Sequence, residues 1–267
     1  MDTILDIQDL TVKIGHRRVL DGVSIPLRKG RMTALVGESG SGKTLTALAA
    51  LKLLPDSAVL ENGKILFEGK DILKLEGEEL RRLRGHRVSM VFQEPFTSLN
   101  PLLTVGAQIS ETLIAHNRVH DERSASDIVS GLLGTVRMPP DIAARFPHEI
   151  SGGMRQRAVL AMAMSCSPDV LLLDEPTTAL DVCIQKHVLD LIVDIQKEKG
   201  FAGLFITHDL SIVNMLADDV CVMREGRVVE RGDKEEVLRT PKHPYTRHLL
   251  DCIPRLGDVR RRLPAGS

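Results

Sequence analysis

Residues Gly37, Glu38, Ser39, Gly40, Ser41, Gly42, Lys43 and Thr44 fit the pattern G-x-x-x-x-G-K-[ST], and they stand between an apolar run and a helical one. The run Met32 to Val36 predicts a strand, and Leu45, Leu48, Leu51 and Leu54 predict a helix that begins near Lys43. Glycines at this spacing let the backbone curl so that several N–H groups and the positive end of the helix face an anion. Lys43 adds a charge able to reach β- and γ-phosphates, and the Thr44 hydroxyl is placed to ligate an accompanying Mg²⁺. Taken alone, the octapeptide is also compatible with a glycine-rich turn. The rest of the chain decides between the two.

Val170 to Leu173 is too apolar for a sheet with one wet face, so it reads as a buried strand, and it ends in Asp174-Glu175-Pro176. Carboxylates at the C-terminal end of a strand occupy the usual ligand position of doubly wound folds. Asp174 would hold Mg²⁺, directly or through water, and Glu175 would polarise the water that attacks a γ-phosphate. Upstream lies Ile150-Ser151-Gly152-Gly153-Met154, followed by a helical run from Ala158 to Met164. Ser151 is a natural N-cap, and Gly152 and Gly153 leave amide N–H groups open to a second anion contact. In isolation Ser-Gly-Gly is a flexible loop. Followed by the Asp-Glu strand, it reads as a second phosphate-binding helix start.

Together these residues resemble the ATP-binding subunits of ABC transporters. Ser151-Gly152-Gly153-Met154 matches that family's signature motif, with Ile150 where Leu is usual. Asp174 and Glu175 match the Walker B aspartate and the catalytic glutamate, and Ala179-Leu180-Asp181 matches the D-loop. Gln93, after the apolar strand Val88 to Phe92, matches the Q-loop glutamine, and His208, ending the strand Leu204 to Thr207, matches the switch histidine. The resemblance implies an α/β P-loop NTPase core with an antiparallel β subdomain and an inserted α-helical subdomain. It implies one domain over residues 1–267, with a helical subdomain at about 94–165 and a tail at about 233–267. It also implies an ATPase, with ATP and Mg²⁺ as ligands.

Narrower phrases point to one branch. Val91 to Pro101, Pro176-Thr177-Thr178-Ala179-Leu180-Asp181-Val182 and His243-Pro244-Tyr245-Thr246-Arg247 resemble bacterial importers of peptides, nickel and metal chelates. The phrases leave the cargo open. By the same resemblance, two ATPase subunits face head to tail, identical or not, so that Ser151, Gly152 and Gly153 of one cover the γ-phosphate bound at Lys43 of the other. His208 would fasten that phosphate, and Asp181 would lie across the interface. Gln93 would link the Mg²⁺ and water to the helical insertion, where a membrane subunit docks near Phe96 to Pro101. Two membrane permeases and a substrate-binding protein complete such a system, which places the chain at the cytoplasmic face of the membrane.

Two departures from the family stand out. Counting back from Gly37, the position that usually stacks an aromatic ring on adenine falls on Ile14, with His16 nearby. The base contact is therefore expected to be weaker there, or to come from His16 or the backbone. Many relatives extend into a cysteine-rich segment that holds an iron–sulfur cluster; here Cys252 stands alone, and no cluster is expected.

Composition adds limits. A net charge of −1 lacks the basic footprint of a nucleic-acid binder, and Arg260-Arg261-Arg262, the only dense basic cluster, reads as a solvated tail. No apolar run reaches membrane-span length, and with Met1 leading into a strand no signal peptide is expected. Cys166, Cys183, Cys221 and Cys252 are too widely spaced for a zinc site or a disulfide framework, and are expected to be reduced and mostly buried. With no Trp and Tyr245 as the one tyrosine, intrinsic fluorescence is expected to report nucleotide poorly.

Short strands are expected from about Thr3 to Leu27 around a turn at Gly15-His16-Arg17-Arg18, with another between Gly63 and Gly69. Helices are expected at Val105 to His116 and Ser124 to Leu133 within the insertion, and at Leu210 to Leu216 and Lys234 to Leu238 beyond it. Strands are expected at Val220 to Arg224 and Arg227 to Glu230. A non-transport ABC ATPase that acts as a mechanical switch and an exporter-type ATPase are the alternatives. A switch on ribosomes would carry two ATPase units, and one on DNA a long coiled coil; neither is present in the sequence.

Overall fold

A computed structural model describes residues 3–93, 98–178 and 180–252. The chain opens with β1 (Thr3–Ile14) and β2 (Arg17–Arg28), which pair antiparallel across the two-residue turn Gly15-His16. It continues through β3 (Met32–Val36), α1 (Lys43–Ala50), β4 (Ala58–Phe67), β5 (Lys70–Asp71), α2 (Gly77–Leu83) and β6 (Val88–Val91). Among the described residues the α-helices α3 (Val105–Ala115), α4 (Glu122–Thr135) and α5 (Gly152–Met164) follow, with two short 3-10 turns between the last two. The rest is β7 (Val170–Asp174), α6 (Val182–Lys199), β8 (Ala202–Thr207), α7 (Leu210–Leu216), β9 (Asp219–Arg224), β10 (Arg227–Asp233), α8 (Lys234–Arg239) and α9 (Pro244–Asp251).

Two sheets result. The smaller has the order β2-β1-β4-β5 and is antiparallel; the larger has the order β10-β9-β3-β8-β7-β6 and is parallel except at β10. The parallel strands are covered on both faces, which is why they read as unbroken apolar runs. Alternation sorts their side chains: Leu171 and Leu173 join a core that also holds Ile109, Leu133 and Val159, whereas Val170 and Leu172 join one that holds Ile7, Ile25 and Ile65. The first core lies toward helices α3 to α9, and the second toward the antiparallel sheet and helices α1 and α2.

Register then aligns the ends of four strands. Val36 pairs with Thr207, Asp174 with Ile206, and Val91 with Leu173. Gly37, His208, Glu175 and Gln93, each just past one of these strands, are thus brought to one carboxyl edge of the sheet, where open α/β sheets bind ligands.

Several elements differ from the sequence expectation. The first two strands are 12 residues each rather than short pieces, and β4 starts at Ala58, well before Gly63. Helix α1 stops at Ala50 rather than continuing through Leu54. Lys52 adopts a left-handed φ of 53°, Leu53 N–H turns back to Leu48 O, and the Arg84 guanidinium donates to Leu51 O at 2.7 Å and Lys52 O at 2.6 Å. Helices α2, α6 and α9 were not foreseen. Of the cysteines only Cys166 and Cys221 are buried; Cys183 and Cys252 are exposed, because they sit at the outer ends of α6 and α9. Phe96, Ala179 and Arg260 to Arg262 lie outside the described residues. Among the described residues no helix is long and apolar enough to cross a membrane.

Candidate functional site

The Gly37–Thr44 loop is pressed between strand β9 and the start of α1, and its glycines are required by close approach. A Cβ on Gly37 would sit 2.1 Å from Met223 O, and one on Gly42 would sit 2.6 Å from Leu20 Cδ2. Gly42 is the N-cap of α1 with φ at 107°, and no side chain caps that end. The first amide N–H groups of α1 therefore have no side-chain acceptor, which leaves an anion cradle.

Lys43 is only 5 % exposed, and its ammonium donates to Gly37 O and Glu38 O, both at 2.8 Å. Burial pushes its pKa down, against the pull of Glu175, Asp174 and Glu38. The loop thus folds around its own cation. Thr44 Oγ1 donates to Asp174 Oδ1 at 3.2 Å. Burial pushes the Asp174 carboxyl up, the Thr44 hydrogen bond opposes that, and Glu175 adds to it while Lys43 subtracts. A hydroxyl and a buried carboxylate form a hard-oxygen pair suited to Mg²⁺.

Glu175 follows β7 with φ at 44°, a left-handed conformation uncommon for a residue with a side chain. Its N–H donates to Ile206 O at 3.1 Å, which fixes the bend. Oxygen Oε2 accepts from Thr178 Oγ1 at 3.0 Å and Gln93 Nε2 at 3.4 Å, and stands 3.1 Å from His208 Nδ1. A carboxylate only accepts, so the His208 tautomer here carries its proton on Nδ1. The structure therefore brings Gln93, Lys43, Thr44, Asp174, Glu175 and His208 together.

A cavity opens over the cradle, lined by Ser39, Gly40, Gly42, Lys43, Thr44, Gln93 and Glu175 on one side and Arg17, Arg18, Val19, Glu225 and Gly226 on the other. Ile14 does not line it. It lies half-buried at the end of β1, paired with Arg17 and Ala58, and His16 occupies the exposed turn beside it. The second group of lining residues was missed by the sequence reading, because the turns after β1 and β9 meet only in the folded chain. Thr178 was quoted in a phrase without a role.

Ser151, Gly152, Gly153 and Asp181 also do not line the cavity. Ser151 caps α5 by accepting Met154 N–H at 3.3 Å, and Asp181 caps α6 by accepting Ile184 N–H at 3.0 Å. The two helix starts touch each other: a Cβ on Gly153 would meet Ile184 Cγ2 at 2.5 Å. The loop before α5 is therefore not part of the cavity over its own chain's P-loop.

A family model described as "ABC transporter" matches residues 20–178. The chain belongs to the ABC transporter ATP-binding family. A second model, for the C-terminal region of oligopeptide/dipeptide transporters, matches residues 229–266. Relatives at this level include the dipeptide transport ATP-binding protein DppD of Bacillus subtilis, 44 % identical over 96 % of this chain and 78 % of its own length. The oligopeptide transport ATP-binding protein OppD of the same organism is 45 % identical over 95 % of this chain and 72 % of its own. Among solved structures, CbiO1 from Clostridium perfringens, described as part of the cbiONQ ABC transporter complex, aligns with a TM-score of 0.79 at 28 % identity. That alignment covers 94 % of this chain and 100 % of CbiO1. This family member is an ABC-type ATPase with the fold of the P-loop cassettes.

Proposed function

We propose that this ABC ATPase is the motor subunit of a peptide importer, with hydrolysis centred on Glu175. The carrying observation is a cavity beside an uncapped helix start that Lys43, Thr44, Gln93 and Glu175 line, with Asp174 bonded to Thr44 and His208 to Glu175 just behind them. Phosphates of ATP would lie on the Gly37–Thr44 cradle, held by loop amides and by Lys43. Thr44 and Asp174 would hold Mg²⁺, which when bound offsets phosphate charge. Glu175 accepts a proton from water as its oxygen bonds to the γ-phosphorus and the bond to the ADP oxygen breaks. Gln93, Thr178 and His208 orient the carboxylate that does this.

Because Ser151, Gly152, Gly153 and Asp181 stand apart from the cavity of their own chain, the reading requires a second ATPase, identical or homologous, whose signature residues close over it. ATP then joins two subunits and its hydrolysis lets them part. Two membrane permeases would convert that motion into transport, supplied by a substrate-binding protein, with this chain on the cytoplasmic face. No nucleic-acid partner enters this reading. Ile14 would at most flank the base, whose surroundings are Arg17, Arg18 and Val19.

The match over residues 229–266 and the peptide relatives favour peptide over nickel as cargo. The test is uptake of a labelled peptide mixture and of labelled nickel by cells whose only copy is wild type or Glu175→Gln. Loss of peptide uptake alone in the variant is expected. Loss of nickel uptake alone would reassign the cargo, and loss of neither would contradict the importer.

A further inference from the structure

The last helix of the described residues reaches the phosphate loop through the Tyr245 side chain. Tyr245, on α9, is buried, and its hydroxyl oxygen accepts Glu38 N–H at 3.3 Å across 207 residues of sequence. Glu38 is a junction of the loop: its carbonyl accepts Lys43 Nζ at 2.8 Å and Ser41 N–H at 3.2 Å. Two of these three bonds come from within the loop. The third comes from the region that resembles the transporter C-terminal family.

Helix α9 is itself held in place. Glu230 accepts Lys242 N–H at 2.7 Å and His243 N–H at 3.0 Å, His243 Nδ1 caps Tyr245 N–H at 3.1 Å, and Arg247 donates to Pro241 O and Lys242 O at 3.0 and 2.9 Å. The Arg224 guanidinium lies 4.8 Å from the Tyr245 ring centroid. Two residues on, Gly226 N–H donates to Ser41 O at 3.0 Å, so the β9–β10 turn grips the same loop from another side. Burial pushes the Tyr245 phenol up, against the Glu38 N–H bond that lowers it. The lone tyrosine, expected to be a poor reporter, touches the P-loop itself.

We propose that Tyr245 is a positioning residue for ATP: through Glu38 N–H it holds the phosphate loop in its cradle conformation, so that the C-terminal segment sets nucleotide affinity. The proposal rests on the ATPase reading above. A loop ordered before binding has less conformational freedom to lose when ATP arrives. The effect belongs to binding and not to the chemical step, because Tyr245 faces Glu38 and not the Glu175 carboxylate.

The test uses the full chain as wild type, Tyr245→Phe and Leu249→Ala, with ATP affinity by calorimetry, steady-state hydrolysis, and thermal unfolding. Tyr245→Phe keeps the buried ring and its Arg224 contact and removes only the hydroxyl, which faces both the N–H and the carboxylate of Glu38. Its Kd and KM for ATP are expected to rise about 2- to 10-fold, the net worth of one hydrogen bond, with kcat unchanged. Leu249, partly buried on the same helix, packs against the core, and its truncation is expected to lower the melting temperature without moving Kd. Wild-type affinity in Tyr245→Phe, tighter binding, or an equal loss of affinity in Leu249→Ala would overturn the proposal. A wild-type chain that binds no ATP would overturn the ATPase reading and this proposal with it.

Discussion

His208 Nδ1 lies 3.1 Å from Glu175 Oε2, the same oxygen that accepts from Thr178 and Gln93. The Glu175 carboxylate, the proposed base, is therefore held from three elements: the loop after β6, its own turn after β7, and the end of β8. A water activated by Glu175 must share or displace these donors. That would tie the proposed proton acceptor to His208, which the resemblance assigns to fastening the γ-phosphate, and to Gln93, which it assigns to the Mg²⁺ and water.

Separation of the signature helix from its own cavity predicts a dimer effect. Ser151→Arg is expected to leave ATP binding by the monomer intact and to abolish ATP-dependent dimerisation, read by light scattering. Ser151→Ala serves as the control: it removes only the cap on Met154 N–H, costing about 1 kcal/mol of stability, and should still dimerise. An ATP-dependent dimer of Ser151→Arg would contradict the head-to-tail arrangement.

Asp174 predicts a trade between stability and activity. Burial raises its pKa in the folded chain above the ordinary carboxylate value it has when unfolded, so between those two values the folded state binds more protons than the unfolded one. Its contribution to stability is greatest in acid and declines as pH rises through the folded pKa. At neutral pH the charged carboxylate is a standing cost. Asp174→Asn is expected to melt higher than wild type at neutral pH without nucleotide, to lose that advantage in acid, and to hydrolyse no ATP. A lower melting temperature at neutral pH would refute the assignment.

Arg84 predicts a purely structural effect. Its guanidinium satisfies the carbonyls of Leu51 and Lys52 where α1 ends. Arg84→Met keeps the aliphatic stem and strands both acceptors, so denaturant unfolding should show a loss of about 2 kcal/mol. A change within experimental error would mean that water replaces the guanidinium freely.

The sequence made the P-loop unit legible because strand β3, three glycines and the start of α1 are consecutive, so local rules suffice. Strands β7 and β8 were equally plain, since burial on both faces leaves an unbroken apolar run. The end of α1 was not, because Leu54 continues the helical period while the reversal at Lys52 depends on Arg84 from another element. Helix α6 had local signals that went unused: Asp181 as its cap, Val188, Ile192 and Ile195 on one face, and Gly200 with φ at 69° at its end. Arg17, Arg18, Val19, Glu225 and Gly226 carried no local signal, for they meet at the cavity only when two hairpin turns converge. Tyr245 was visible as part of a phrase. Its reach to Glu38 was not.

The most direct test of the account is ATP turnover by Glu175→Gln at saturating Mg-ATP, with nucleotide affinity measured separately. Unchanged affinity and turnover lowered by roughly 10²–10⁴-fold, the range of a positioned general base, is the predicted result. Turnover close to wild type would remove Glu175 from the centre of the mechanism.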